Sequence, residues 1–199
     1  MIPSREDALD IMDSRHVPRH ILMHSLKVRQ VAVAIASMLI GTGYPIDIRL
    51  VDRAAILHDV CKMDSIVSGG DHASMGQELM QKLGYPLVGD VIGQHVLLRE
   101  MVLDEAMVVN YADKRVRQDV VVSLDQRFVD LMYRYAKGEE AVIRRILKHH
   151  EVARQEESMI VDVCGMDPGW LNRLNLIPGD YILNGSLELP GKDTLIKSK

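Results

Sequence analysis

An all-α fold, a helical bundle followed by a short irregular tail, is predicted by three features of the sequence. Aromatic residues make up only 4% of the 199-residue chain, with one Trp and one Phe against 12 Met. A Met-rich, aromatic-poor core suits packed helices better than a β-sandwich. Apolar residues recur at helical spacing through most of the chain, as in Ile21, Val28, Val31, Ile35 and Met38. Beyond Glu157, Gly165, Pro168, Gly169, Pro178, Gly179, Gly185, Pro190 and Gly191 interrupt any such pattern. The expected organisation is a helical domain over residues 1–156 and a C-terminal extension over 157–199.

The elements follow in order. Ser4-Arg5-Glu6-Asp7 resembles a capping box, with Asp in the usual place of Glu or Gln, and opens a helix to about Ser14. Pro18 suits the first turn of a second helix, which carries His24 on its apolar stripe and stops at Gly41-Thr42-Gly43. Asp47 caps a third, whose stripe Leu50, Ala54, Leu57 ends at His58-Asp59. After the Ser68-Gly69-Gly70-Asp71 loop a helix is expected from His72 to Leu83, broken by Gly84-Tyr85-Pro86, and another through Val91 and His95. Further helices are expected over Glu105 to Arg117, Ser123 to Ala136 and Glu139 to Gln155. In the tail, the Asn184-Gly185 turn inside Tyr181 to Leu189 signals a small hairpin, and strands are expected nowhere else.

Charged residues at 26%, apolar residues at 47% and a net charge of −4 describe an ordinary globular chain. Nothing global points to nucleic acid or a membrane surface as partner. The longest mainly apolar run, Val31 to Ile40, is short for a bilayer, and acidic Glu6 and Asp7 make the N-terminus unlike a signal peptide. Two cysteines without a CxxC motif suit a reducing compartment, so the expected location is the cytoplasm.

The chemistry centres on His58-Asp59. A carboxylate at the end of an apolar helix is costly unless it is paired or binds a metal. Imidazole and carboxylate suit iron, manganese, zinc or magnesium rather than a thiolate-seeking ion. Neighbouring helical residues point about 100° apart, so the pair converges on one ion only where the helix ends, or Asp59 bridges two. Elsewhere His24 and Asp113 stand at positions expected to be core, and His72 and His95 flank successive predicted helices. Each histidine alone reads as an ordinary core or surface residue; together the set offers six ligands in the order His, His-Asp, His, His, Asp.

Arg53-Ala54-Ala55-Ile56-Leu57-His58-Asp59-Val60-Cys61-Lys62 resembles the signature of the HD-domain metal-dependent phosphohydrolases. His24-Ser25-Leu26-Lys27-Val28 is similar to their first motif and Tyr111-Ala112-Asp113-Lys114-Arg115 to their last, so the likeness runs from about Val17 to Arg134. It implies that His24, His58, Asp59 and Asp113 bind one metal. His72, followed by Gly76, and His95 match the two extra histidines of binuclear members, in which the central Asp bridges two ions. Such members include the bacterial HD-type diadenosine tetraphosphate hydrolases and the HD-GYP phosphodiesterases. Gly84-Tyr85-Pro86 precedes His95 instead of following a His-His-Glu motif, so it is read as a helix breaker only.

The resemblance implies two divalent ions, iron or manganese first, with magnesium, zinc, nickel or cobalt as alternatives. It also implies hydrolysis of a phosphomonoester, phosphodiester or phosphoanhydride of a nucleotide or other small phosphorylated metabolite by a metal-activated water, with Asp59 and Lys62 as catalytic residues. Lys62, three positions after Asp59, can reach a phosphate beside the ions, and Arg115 and Arg117 are further candidates for binding it. A diiron oxygenase, which the same fold also hosts, and a non-catalytic signalling module are the competing readings. Homo-oligomers are compatible with the sequence. His16, His20, His149 and His150 are read as surface or rim residues, Cys61 as a small buried one, and Arg127 as a surface charge or a buttress for the loop after Asp113.

Overall fold

The structure, a computed structural model, describes residues 1–176. Helix α1 (Arg5–Ser14) begins at the expected capping box: Asp7 N–H donates to Ser4 Oγ and Ser4 N–H to Asp7 Oδ2, each at 3.0 Å. Helix α2 (Arg19–Gly41) starts one residue after Pro18, which serves as the cap rather than lying in the first turn. It is the axis of the bundle, packed against α3 (Ile48–Leu57) and, further along the chain, α7 (Glu105–Lys114). By length and a mean hydropathy of 1.2 it is apolar enough to cross a membrane, which the short run Val31 to Ile40 did not suggest. Here 72% of that apolar window is buried among the other helices, so α2 is this fold's core helix.

Polar groups inside the bundle are paired across elements. Arg29 of α2 donates from Nε to Asp52 Oδ2 of α3 at 2.7 Å, and Arg5 of α1 reaches the same oxygen at 3.4 Å. One buried carboxylate thereby joins three helices.

Helix α3 ends where expected, at His58. Helix α4 (Lys62–Ser68) was not expected; none of its residues is buried, so no apolar period marked it. Gly69 ends it at φ +76°, in the left-handed region that glycine alone adopts without strain. Asp71 caps α5 (His72–Lys82), and α6 (Pro86–Ile92) follows the Gly84 break. Helix α6 stops three residues before His95, so that histidine sits in a turn and not on a helix.

Helix α7 also ends earlier than expected. Val116–Arg117 (β1) and Val120–Val121 (β2) form an antiparallel ribbon, in register Val116 with Val121, inside the region where no strand was expected. It is a hairpin between helices, and no central sheet occurs among the described residues.

The second capping box, Ser123 with Gln126, opens α8 (Leu124–Leu131), which passes into a π-helical turn over Met132–Ala136. Helix α9 (Glu140–Cys164) outruns the expected end at Gln155 and passes through residues 156 and 157 without a break, because Ala153, Glu156 and Ile160 continue one inward face. A 3-10 segment, Pro168–Leu176, then buries Leu171 and Leu174. The hairpin expected over Tyr181 to Leu189 lies outside the described residues.

Candidate metal centre

The six sequence-marked ligands converge at one end of the bundle as two triads. His24, His58 and Asp113 form the first and Asp59, His72 and His95 the second; within each, ligand atoms lie within 4.8 Å of one another. They come from α2, the end of α3, the start of α5, the turn after α6 and the last turn of α7.

Three imidazoles are oriented by main-chain carbonyls. Nδ1 of His24 donates to the Gln118 carbonyl at 2.7 Å, that of His58 to Ala55 at 2.9 Å, and that of His95 to Ile92 at 2.6 Å. These bonds place the Nδ1 proton on the main-chain side and turn each Nε2, the nitrogen free to bind a metal in the neutral ring, toward the cluster. Gln118, at φ +57° in the ribbon turn, presents its carbonyl to His24, which gives the ribbon its role at the site.

Nε2 of His24 lies 2.9 Å from Asp113 Oδ1, and His95 Nε2 lies 2.9 Å from His72 Nε2. His58 Nε2 is buried and has no hydrogen-bond partner; its nearest carboxylate oxygens are Asp59 Oδ2 at 3.7 Å and Asp113 Oδ1 at 3.8 Å. Asp59 has its other oxygen, Oδ1, 3.2 Å from His72 Nε2 and 3.6 Å from His95 Nε2. Its two oxygens thus face different triads.

Electrostatics prepares these groups for a cation. Burial, reinforced by the neighbouring His95 and His24, pushes His58 down to about 4, so its imidazole is neutral at neutral pH. Burial would raise both carboxylates, but His58, His72, His95 and Lys62 hold Asp59 well below the usual range, and His24, Arg127 and His58 do the same for Asp113. A neutral His58 with an orphaned buried nitrogen, three further imidazoles and two ionised carboxylates make a donor set that fits divalent ions of borderline or hard character. Cys61 belongs to neither triad, and burial raises its thiol to about 11.

The other candidates divide. Lys62 Nζ lies 3.3 Å from Asp59 Oδ1 and 3.4 Å from His72 Nε2, on the cleft that opens over the triads. Arg115 does not reach that cleft. It is 2% exposed and tied to the Val122 carbonyl at 2.7 Å, Tyr111 Oη at 2.6 Å, Glu157 at 3.2 Å and the Pro168 carbonyl at 3.3 Å. Its expected phosphate-binding role is replaced by a structural one. Arg117 is exposed on β1, away from the cleft.

In contrast, Arg127 lines the cleft beside Asp113, a place its charged helix had concealed. His20 and His149 also border the cleft, while His150 stacks on Phe128 with ring centroids 4.6 Å apart.

Comparison with known proteins places these residues in context. A family model described as HD domain matches residues 21–118, which include all six triad residues. Ribonuclease Y of Aquifex aeolicus (strain VF5) is 37% identical over 68 residues, 34% of this chain, and the chain spans only 11% of that protein. Among solved structures, a predicted HD superfamily hydrolase from an uncultured Thermotogales bacterium aligns at a TM-score of 0.47 and 21% identity, covering 81% of this chain and 89% of the other.

Proposed function

We infer from the match of residues 21–118 to the HD domain family model that the protein is a metal-dependent phosphohydrolase. Its substrate is a nucleotide or another small phosphorylated metabolite. The observation that carries this reading is the placement of Asp59, with Oδ1 toward His72 and His95 and Oδ2 toward His58. One carboxylate between two triads suits a pair of ions, with His24, His58 and Asp113 holding one, His72 and His95 the other, and Asp59 shared. Bound divalent cations supply Lewis acidity toward a phosphoryl oxygen and lower the pKa of a neighbouring water.

The chain's own side chains supply position and charge. Lys62 lies beside Asp59 on the cleft wall, where its ammonium is within reach of a phosphate and offsets the charge that builds on it. The carbonyls of Gln118, Ala55 and Ile92 hold the imidazoles in one tautomer, so that no reorganisation is needed when substrate arrives. The cleft has a volume of about 1130 Å³ and is lined by Arg19, Lys62, Arg127 and Arg134 together with Phe128 and Leu131. That is room for a nucleotide, with cations for its phosphates and an apolar surface for its base. Hydrolysis forms a P–O bond to water and breaks the P–O bond to the leaving group, which departs with a proton. The free thiols Cys61 and Cys164 suit a reducing cytoplasm.

The test is metal analysis of protein purified without chelator or added metal, followed by a panel of nucleoside mono- and polyphosphates, sugar phosphates and phosphodiesters. A short oligoribonucleotide belongs in it, given the likeness to ribonuclease Y. The expected result is hydrolysis of a panel member, read as free phosphate or as the cleaved ester, that requires added manganese or iron and disappears in Asp59→Ala. Oxygen consumption by a diiron form with no hydrolysis of any panel member overturns the reading.

A further inference from the structure

Arg127 is a guanidinium held in the cleft wall with almost nothing to bind. Its side chain is 13% exposed, and its nearest carboxylate oxygen, Asp130 Oδ2, is 3.7 Å from Nη1 and already engaged by Arg134. Its Nε–H is buried and has no hydrogen-bond partner. Arg115, more deeply buried at 2% exposed, has four partners. A buried cationic donor left unsatisfied is unfavourable, and such groups in native proteins are generally completed by an ion, water or ligand.

Its position says what would complete it. Arg127 lines the same cleft wall as His24 and Asp113 of the first triad. Lys62 stands over the second, beside Asp59 and His72. Both line the same cleft. An anion lying across the two triads therefore meets a cation at each end. A guanidinium matches a tetrahedral oxyanion in a forked, two-bond geometry that an ammonium cannot reproduce.

We propose that Arg127 is a phosphate-binding residue of this cleft, donating to non-bridging oxygens of the phosphoryl group that lies over the two triads, opposite Lys62. The inference rests on the phosphohydrolase reading. Its rival is that Arg127 merely buttresses Asp113, keeping a metal ligand ionised without touching substrate.

The experiment is calorimetric titration of inorganic phosphate into manganese-loaded wild-type protein, Arg127→Met and Arg127→Lys, with metal counted in each sample. Steady-state kinetics on the best substrate of the panel accompany it. Arg127→Met is expected to keep its full metal content and to bind phosphate at least tenfold more weakly, with a raised KM. Arg127→Lys should recover part of the loss, because charge returns without the fork. If Arg127→Met does not fold, a Lys variant with wild-type phosphate affinity still overturns the proposal. So does a folded Met variant that loses metal, which would assign Arg127 to Asp113, or one that binds phosphate as wild type does. Failure of the metal-loaded wild type to bind phosphate at all defeats the phosphohydrolase reading itself. An unaffected variant of an active enzyme defeats only the role of Arg127.

Discussion

Asp59 is the residue on which the candidate site turns, since it belongs to the second triad while its Oδ2 faces His58 of the first at 3.7 Å. Asp59→Ala should therefore lose both ions and all turnover, whereas His72→Ala or His95→Ala should lose one ion and keep the other. Metal stoichiometry under saturating manganese distinguishes these outcomes, and an Asp59→Ala protein that retains two ions would place the site elsewhere. Of the six triad residues, His24 and Asp113 stand out in the sequence as ionisable groups where an apolar one is expected, His58-Asp59 as a pair ending an apolar helix, and His72 and His95 through the resemblance to binuclear family members. Gln118 does not stand out, and Arg127 reads only as a surface charge or a buttress for the loop after Asp113. Gln118 acts through its main-chain carbonyl, which any residue possesses, and Arg127 lies on a helix whose other charges, Asp125 and Asp130, suggest a solvated face. Arg115 misled in the opposite direction: beside a metal ligand in sequence, it points away from the cleft into a buried network. Removing it takes the cation from the partly exposed Glu157 and the donor from the Val122 carbonyl, while Tyr111 Oη keeps its bond to Glu157, so Arg115→Met should cost about 1–3 kcal/mol. Arg117→Ala should be nearly silent, within about 0.5 kcal/mol. Denaturant midpoints of the two variants check the contrast.

Among elements, α5 and α6 decide the second triad, because α5 begins at His72 and α6 delivers the chain to His95. They touch through glycine. A Cβ at Gly89 would lie 2.8 Å from the Gln77 carbonyl oxygen and 3.1 Å from Met80 Cβ, backbone-side contacts that cannot swing aside. At Gly76 the nearest atom is the tip of Ile92, 3.2 Å away, which can yield. Gly89→Ala should thus force the two helices apart, cost about 1–3 kcal/mol and weaken the second ion more than the first. Gly76→Ala should do less of both. Thermal unfolding with metal occupancy at limiting manganese separates them, and equal loss of both ions in Gly89→Ala would show that the pair does not set the triad. The long helices were legible from their stripes and caps. Helix α4 and the Val116–Val121 ribbon were not, since the first buries no side chain and the second is too short for alternation to register.

At the level of the whole molecule, the question is where the folding unit ends. Composition suggested a boundary after residue 156, because glycine and proline accumulate beyond it and charges crowd the helix before it. The buried face of α9 carries a weaker but better-placed signal: Ala153, Glu156 and Ile160 keep helical spacing across that point. Lys114, next to the ligand Asp113, donates to Glu156 at 3.1 Å in a buried pair, and Tyr111 and Arg115 of the same segment bond Glu157. Further on, Leu171 and Leu174 enter the core, Lys27 of α2 donates to the Leu174 carbonyl at 3.1 Å, and Asn175 bonds the main chain of Val121 in both directions. A chain cut after 156 loses the burial of Ile160, Leu171 and Leu174, at about 1.5–3 kcal/mol each. It also leaves Arg115 without its carboxylate. Those losses are comparable with the ~5–15 kcal/mol that holds a domain folded. The 1–156 fragment should accordingly unfold at room temperature or lack a cooperative transition, and fail to hold metal because α7 positions Asp113. A chain ending at 176 should keep both the transition and the metal, which circular dichroism melts and metal counting on the two fragments would show. A stable, metal-replete 1–156 fragment would return the boundary to where composition put it.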